Sequence, residues 1–333
     1  MLESRTYSAA WLLQGKIAMK IILTKKVEKR INMKKGYIYI LIILIILLII
    51  VLGAWGYNIN TKIKNNKVVE KELKKNMEKD NLQEVDKDLT SKEERPIYNI
   101  LGRSNKLTPN QWKAMEDWRN KVVNLSKENK DVVYINGYST EKMVALTFDD
   151  GPDNNITSKI VKTLTQYNVK GNFFFIGEQV RKYPFVVEKA YNEGNLVASH
   201  SNNHVQLDKL SADEIKNEIS KGEEEIFKVI GKRPKLIRPP YGTIDTKVIE
   251  AVKNSGDKIV LWSIDTLDWS QRERKNITKN IIDNLRPGEI ILMHSNEDKS
   301  ETLKALPDII SGIKEKGYQI VTLDKLLKVE GYK

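Results

Sequence analysis

The 333-residue chain has no cysteine and only three histidines. The missing thiol excludes disulfides, thiolate metal sites, cysteine nucleophiles and cysteine-linked lipid anchoring. The scarce imidazoles confine histidine chemistry to His200, His204 and His294. Charge is also missing from one stretch, Gly36 to Thr61. The length suits one large domain with extra segments, or two domains, and can bury a core without covalent staples.

A net charge of +12 raises the question of nucleic acid. Its distribution argues against it. Residues 1–140 hold 26 of the 56 Lys+Arg and 15 of the 44 Asp+Glu, and the remainder is within one charge of neutral. No nucleic-acid partner is expected, and no protein partner is signalled.

The uncharged stretch explains the excess. Thirteen consecutive Ile, Leu and Val run from Ile40 to Leu52, leaving no polar face for a soluble buried helix. At ~1.5 Å per residue, 36–56 is long enough to cross a hydrocarbon layer of ~30 Å. Tyr37, Tyr39, Trp55 and Tyr57 flank it as interfacial aromatics do. Residues 1–35 carry nine basic and two acidic side chains, which places the N-terminus in the cytoplasm and the rest outside. A cleaved signal peptide would have a shorter apolar run and a better cleavage site than "VLGAWG". The expectation is a single-pass membrane anchor with the residues after it extracytoplasmic. "MKKGYIYI" from Met33 reads as a natural start, and 1–32 then reads as a start-site artefact.

Residues 57–95 read as a charged stalk, and 96–140 as a helical and strand lead-in. Within the lead-in, Thr108 and Pro109 open a helix. Trp112, Met115, Trp118, Val122 and Leu125 recur at helical spacing, as in a helix packed on the main domain. From 141 to 330, seven strand-like runs alternate with helical segments: 144–149, 172–177, 195–200, 235–239, 258–265, 289–295 and 318–323. One helix opens on the capping box Ser211 to Glu214. The pattern predicts a parallel α/β fold buried on both faces, either doubly wound or a barrel.

Polar residues end these runs: Asp149 and Asp150, His200, Arg238, Asp265 and His294. Strand ends are where both barrels and open sheets gather ligands. His200 and His204 lie four apart, which on a helical turn would put both rings on one side. The bland reading is a surface pair. An aspartate from another strand end would complete a His2Asp site with open positions, the pattern of a catalytic rather than a structural centre. One of the paired aspartates can then be a ligand, its charge offset by the cation, and the other a general base. Taken singly, Arg238 could sit on the surface, Trp269 in the core, and Asp268 could cap the next segment.

"TFDDGP", "HSNNH", "RPPYG", "DTLDW" and "LMH" follow in that order over 141–328. Together they resemble the polysaccharide deacetylase family, also called the NodB-homology domain or carbohydrate esterase family four. The resemblance implies a distorted (β/α) barrel of about seven strand–helix units, here preceded by a transmembrane helix and a charged stalk. It implies a metal-dependent hydrolase removing acetyl groups from sugars. It makes Asp149 the base and Asp150, His200 and His204 the metal ligands. Arg238 would hold the base, the Tyr241 backbone N–H would face the oxyanion, and Trp269 would wall the sugar groove. Leu292 would line the acetyl-methyl pocket, and His294, oriented by Asp268, would be the general acid. Asn172 stands where the family usually has a small or hydroxylated residue, a change expected to matter little.

The implied cofactor is one divalent ion, zinc first, with cobalt, nickel or manganese open because the ligand set suits several. The partners are an acetylated glycan and the cell membrane. A membrane-tethered enzyme facing outward meets the cell wall first, so N-acetylglucosamine of peptidoglycan leads. Chitin oligosaccharide, exopolysaccharide and O-acetyl xylan are alternatives. A branch acting on muramic acid tends to alter "DDGP" and is resembled less. A reading from another class is an inactive wall-binding protein on a membrane stalk. Such proteins usually lose a ligand or the base, and this chain keeps them.

Overall fold

The structure, a computed structural model, describes residues 52–53 and 95–333. The expected N-terminal segment, membrane span and stalk lie outside the described residues, apart from Leu52, Gly53 and Arg95. Among the described residues no helix is long and apolar enough to cross a membrane.

Among the described residues nine strands appear in the order β1 (Val133–Tyr134), β2 (Met143–Asp149), β3 (Asn172–Phe175), β4 (Leu196–Ser199), β5 (Leu236–Ile237), β6 (Lys258–Val260), β7 (Ile264–Asp265), β8 (Ile290–His294) and β9 (Gln319–Ile320). The sheet runs β1-β6-β5-β4-β3-β2-β8-β7, with β9 on β2, and every ladder is parallel. This is an α/β fold built on a parallel-strand half-barrel. Helices separate most of the strands, among them α1 (Pro109–Glu128), α2 (Ile156–Gln166), α3 (Gly177–Lys182), α4 (Pro184–Asn192), α5 (Ala212–Ile230), α6 (Thr246–Asn254), α7 (Arg274–Ile282), α8 (Ser300–Glu315) and α9 (Leu323–Leu327).

The helix signals read from sequence act as expected. Thr108 and Gln111 form a capping box on α1, with Pro109 in its first turn. Ser211 and Glu214 do the same on α5, which ends on left-handed Gly231. Apolar residues on α1 pack into the main core through Val122 and Val123.

The strand count differs from the seven runs expected. Run 258–265 breaks in two, so β6 lies one strand in from one edge while β7 forms the other edge. The cause is Arg238. Its Nε–H donates to the Val260 carbonyl at 2.9 Å and its Nη2–H to that of Leu261 at 2.8 Å. Two carbonyls of a continuous ladder are thereby taken by a side chain, and the chain changes partners. The Leu261 N–H donates to Tyr134, but that of Ser263 donates to Ile290.

Side-chain alternation splits the strands between two apolar clusters. Met143, Ala145, Phe174, Leu196, Ala198, Ile290 and Leu292 join one cluster with α1 and α6. Val144, Leu146, Phe148, Phe173, Phe175, Val197, Ile291 and Met293 join the other with α2 and α8. Truncating one of these phenylalanines to alanine costs about 3–5 kcal/mol in a packed core. Carried on by twos, the first face continues through Thr147 to Asp149, through Ala198 to His200, and through Leu292 to His294. A one-residue slip would turn all of these away together.

Asn172 does more than its sequence position suggested. It is fully buried, its Nδ2–H donates to the Leu146 carbonyl at 3.0 Å, and its Oδ1 accepts the Leu323 N–H at 2.7 Å. It ties β2 and β3 to the start of α9.

Candidate active site

A cavity of about 420 Å³ opens where the first-face series ends. Asp149, Asp150, His200, His204, Tyr241, Trp269, Leu292 and His294 all line it. Arg238 and Asp268 lie buried behind it, each bonded to a lining residue. The ten residues singled out from sequence thus converge.

Asp149 ends β2, and its ladder partner on β8 is His294. Arg238 has no exposure. Its Nη1–H groups donate to Asp149 Oδ1 at 2.7 Å and to Thr147 Oγ1 at 2.9 Å, and its Cζ lies 4.1 Å from the Phe174 ring centroid. Each of its three nitrogens is therefore engaged, as a buried guanidinium requires. One carboxylate oxygen of Asp149 is fixed. The other, Oδ2, lies 3.8 Å from His200 Nε2.

Asp150 turns the opposite way because its φ is +70°, in the left-handed region. The next residue must be glycine: a Cβ at Gly151 would stand 2.7 Å from Ser295 Oγ and 2.8 Å from Thr157 Oγ1. Asp150 Oδ1 then sits 3.5 Å from His200 Nε2 and 3.2 Å from His204 Nε2. Burial opposes ionisation of Asp150, but the His200 and His204 rings beside it, with His294 nearby, hold its carboxyl well below the usual range.

The two histidines do not share a helical turn, contrary to expectation. Residues 200–206 are loop, with Ser201 at φ +62° and His204 at φ +58°. The loop is held by Glu218 of α5. Its carboxylate accepts the N–H groups of Asn202 and Asn203 and the Asn203 side-chain amide, at 3.2, 2.9 and 2.7 Å. Ser201 Oγ accepts the His204 N–H at 3.1 Å. These contacts bring the ring centroids to 4.9 Å. Glu218 was missed from sequence. The available signal was a carboxylate on the buried face of α5, between Ile215 and Ile219.

The cluster fits a divalent ion. One donor atom from each of Asp150, His200 and His204 lies within 4.8 Å of the others. His200 Nδ1 is 2.6 Å from the Arg238 carbonyl, so its N–H donates there and the Nε2 lone pair is left facing Asp150. A carboxylate and imidazoles with an open side suit zinc and its neighbours.

Across the cavity, His294 Nδ1 pairs with Asp268 Oδ1 at 2.7 Å, while Asp268 Oδ2 accepts the His294 N–H at 2.9 Å and the Thr302 hydroxyl at 2.7 Å. Burial opposes charge on His294, but Asp268, then Asp150 and Asp149, push it up to about 9. Burial likewise opposes charge on Asp268, which the His294 interactions and Thr302 hold below its ordinary value. An imidazole that keeps its proton, with Nδ1 engaged, presents Nε2–H as a donor.

Tyr241 stands at φ +60° in the turn Pro240–Gly242. Gly242 and Thr243 donate their N–H groups to Pro239 and Pro240, and no described carbonyl takes that of Tyr241. Tyr241 and Trp269 are among the exposed large hydrophobic side chains, at 62% and 40%. Leu292 is buried. Met115, Trp118, Trp262, Asp265 and Lys299 also line the cavity. Of these, sequence marked Met115 and Trp118 only as helix-packing residues and Asp265 only as a strand end. Burial pushes the Asp265 carboxyl up, and its Oδ1 accepts the Leu267 N–H.

A profile described as polysaccharide deacetylase matches residues 136–260. The chain is 41% identical over 187 residues to a peptidoglycan-N-acetylglucosamine deacetylase of Bacillus cereus, a match spanning 56% of this chain and 68% of that protein. It is 34% identical over 212 residues to the peptidoglycan-N-acetylmuramic acid deacetylase PdaA of Bacillus subtilis, spanning 62% and 79%. Among solved structures, a peptidoglycan N-acetylglucosamine deacetylase in complex with 4-naphthalen-1-yl-N-oxidanyl-benzamide superposes with a TM-score of 0.61 at 38% identity, over 62% of this chain and 98% of that one.

Proposed function

The chain belongs to the polysaccharide deacetylase family, and on that premise we propose that it hydrolyses N-acetyl groups of peptidoglycan, with N-acetylglucosamine as the sugar. The observation that carries the reading is the division of the paired aspartates. Asp149 is clamped by Arg238 with one oxygen left free, and Asp150 is turned onto two histidines. Support for glucosamine over muramic acid comes from the intact "DDGP" and from the 41% identity to the Bacillus cereus protein.

Asp150, His200 and His204 would hold one divalent ion. Such an ion lowers the pKa of a water towards ~7 and polarises a carbonyl. The chain's own residues do the rest. Asp149 Oδ2 removes a proton from the water as its oxygen attacks the amide carbon. The Tyr241 N–H donates to the oxygen that gains charge. Leu292 offers the acetyl methyl an apolar wall, and Trp269 offers the sugar an aromatic one. As the C–N bond breaks, His294 gives its Nε2 proton to the departing amine, held throughout by Asp268. Acetate and a free amino sugar result.

The full chain, loaded in turn with zinc, cobalt, nickel and manganese, should release acetate from peptidoglycan faster than from chitin oligosaccharide, exopolysaccharide or acetylated xylan. No acetate from any of them, with metal bound, would favour the inactive wall-binding protein instead. We propose too that 36–56 anchors the chain with its catalytic part outside, supported by the uncharged Ile40–Leu52 run and the basic residues before it.

A further inference from the structure

Helix α1 precedes the residues matched by the family profile, which begin at 136. Yet two of its side chains, Met115 and Trp118, line the catalytic cavity. The Trp118 ring stacks on Trp262 with centroids 5.1 Å apart and planes at 29°. Its Nε1–H donates to the Gly242 carbonyl at 3.1 Å. Gly242 sits at φ +64°, and a Cβ there would stand 2.5 Å from the Trp262 ring and 2.8 Å from that of Trp118. The two indoles therefore close over the turn that carries Tyr241, and one of them hydrogen-bonds it. Left-handed φ at consecutive residues is costly for Tyr241 and holds only where surroundings enforce it. Trp118 is one of those surroundings.

We propose that α1 is part of the substrate site: Trp118 is a positioning residue that aims the Tyr241 N–H at the developing oxyanion, and Met115 forms a wall of the groove that sets glycan affinity. The proposal rests on the deacetylase reading above and deepens it. It differs from a scaffold role, in which α1 would only cover apolar surface. The hydrogen bond to the Gly242 carbonyl fixes the Gly242–Thr243 peptide unit, two along from the one that carries the Tyr241 N–H, and so pins the far side of that turn, whereas stacking alone fixes its position. Small misplacement of an oxyanion donor costs rate more than binding, because the donor's full value appears only in the transition state.

The test uses the zinc-loaded full chain and N-acetylglucosamine tetramer, with acetate release and tetramer affinity both measured. Trp118→Phe keeps a stacking ring and loses the N–H. It should lower kcat on the order of tenfold with KM little changed. Met115→Ala should raise KM and tetramer Kd several-fold while kcat holds. Thermal melting of each variant locates a temperature at which all are folded, and Trp118→Phe decides the matter if Trp118→Ala does not fold. A kcat for Trp118→Phe equal to wild type overturns the positioning role. An unchanged Kd for Met115→Ala overturns the wall. A wild type that binds and deacetylates while both variants match it sinks this proposal alone. A wild type that neither binds nor deacetylates any acetylated glycan sinks the function reading, and this proposal with it.

Discussion

The two ends of the sheet both bury charge, and they use it differently. At the carboxyl ends of the strands, Asp149, Arg238 and Asp268 are buried beside a cavity, and Asp150, Ser201, His204, Tyr241 and Leu267 all hold positive φ. At the amino ends, Glu289 pairs with Arg286, and Glu223 and Asp257 with Lys333. Asn136 spends its side-chain amide N–H groups on the carbonyls of Pro96 and Gly137. There each of these charges has an ion-pair partner, although Glu289 Oε2 is buried without a hydrogen bond. At the rim Arg238 and Asp268 are spent in the same way, but Asp149 Oδ2 and the Nε2 side of His294 are left for something else. The lesson is that burial alone does not mark a site; burial with strain and an uncommitted atom does.

The largest effect expected at the rim separates the paired aspartates. Asp149→Asn should keep bound metal and lose on the order of 10²–10⁴ in kcat. Asp150→Asn should lose metal, with activity partly restored by excess ion. Elemental analysis beside kcat decides it, and equal metal loss in both would merge their roles. His294→Ala should resemble Asp149→Asn.

Next comes the rim's own structural charge. Arg238→Ala strands Asp149 and frees two carbonyls of the broken strand, so it should destabilise the fold by about 3–5 kcal/mol, as removing half of a buried pair does. Urea unfolding measures it. A loss under 1 kcal/mol would show that the guanidinium is dispensable to the fold.

A smaller effect concerns protons. His294 must be charged to act as an acid, so kcat should fall as pH rises through its pKa, near 9 without a cation and lower with one. Asp268→Asn removes the main cause of the upward shift and should move that alkaline limb to lower pH. An unmoved limb would assign it to another group.

The smallest effect belongs to the base of the sheet. Burial and then Asp257 push Glu223 up to about 7, against an ordinary 4.5. The folded state therefore holds this proton more tightly than the unfolded one. The group's stabilising share is complete below the unfolded pKa, declines as pH rises towards 7, and stays low above it. Glu223→Gln should flatten that part of the stability–pH curve and leave kcat untouched. Activity loss in this variant would blur the division between the two ends.

The sequence by itself determined which residues could do chemistry and on which strand ends they would lie. Alternation by twos is local, so Asp149, His200 and His294 could be placed at the ends of buried runs from their neighbours alone. The capping boxes at Thr108 and Ser211 were legible for the same reason, since their partners lie three residues away. Tertiary structure decided what has distant partners. His200 and His204 meet through a loop held by Glu218, not through helical spacing. Run 258–265 breaks because Arg238, from another strand, takes two of its carbonyls. Asn172 locks to Leu323, 151 residues away, and Trp118 reaches the Tyr241 turn from a helix that reads as simple packing. A hydrogen bond fixed by the meeting of two remote segments leaves no periodic trace in either, so only the folded chain reveals it.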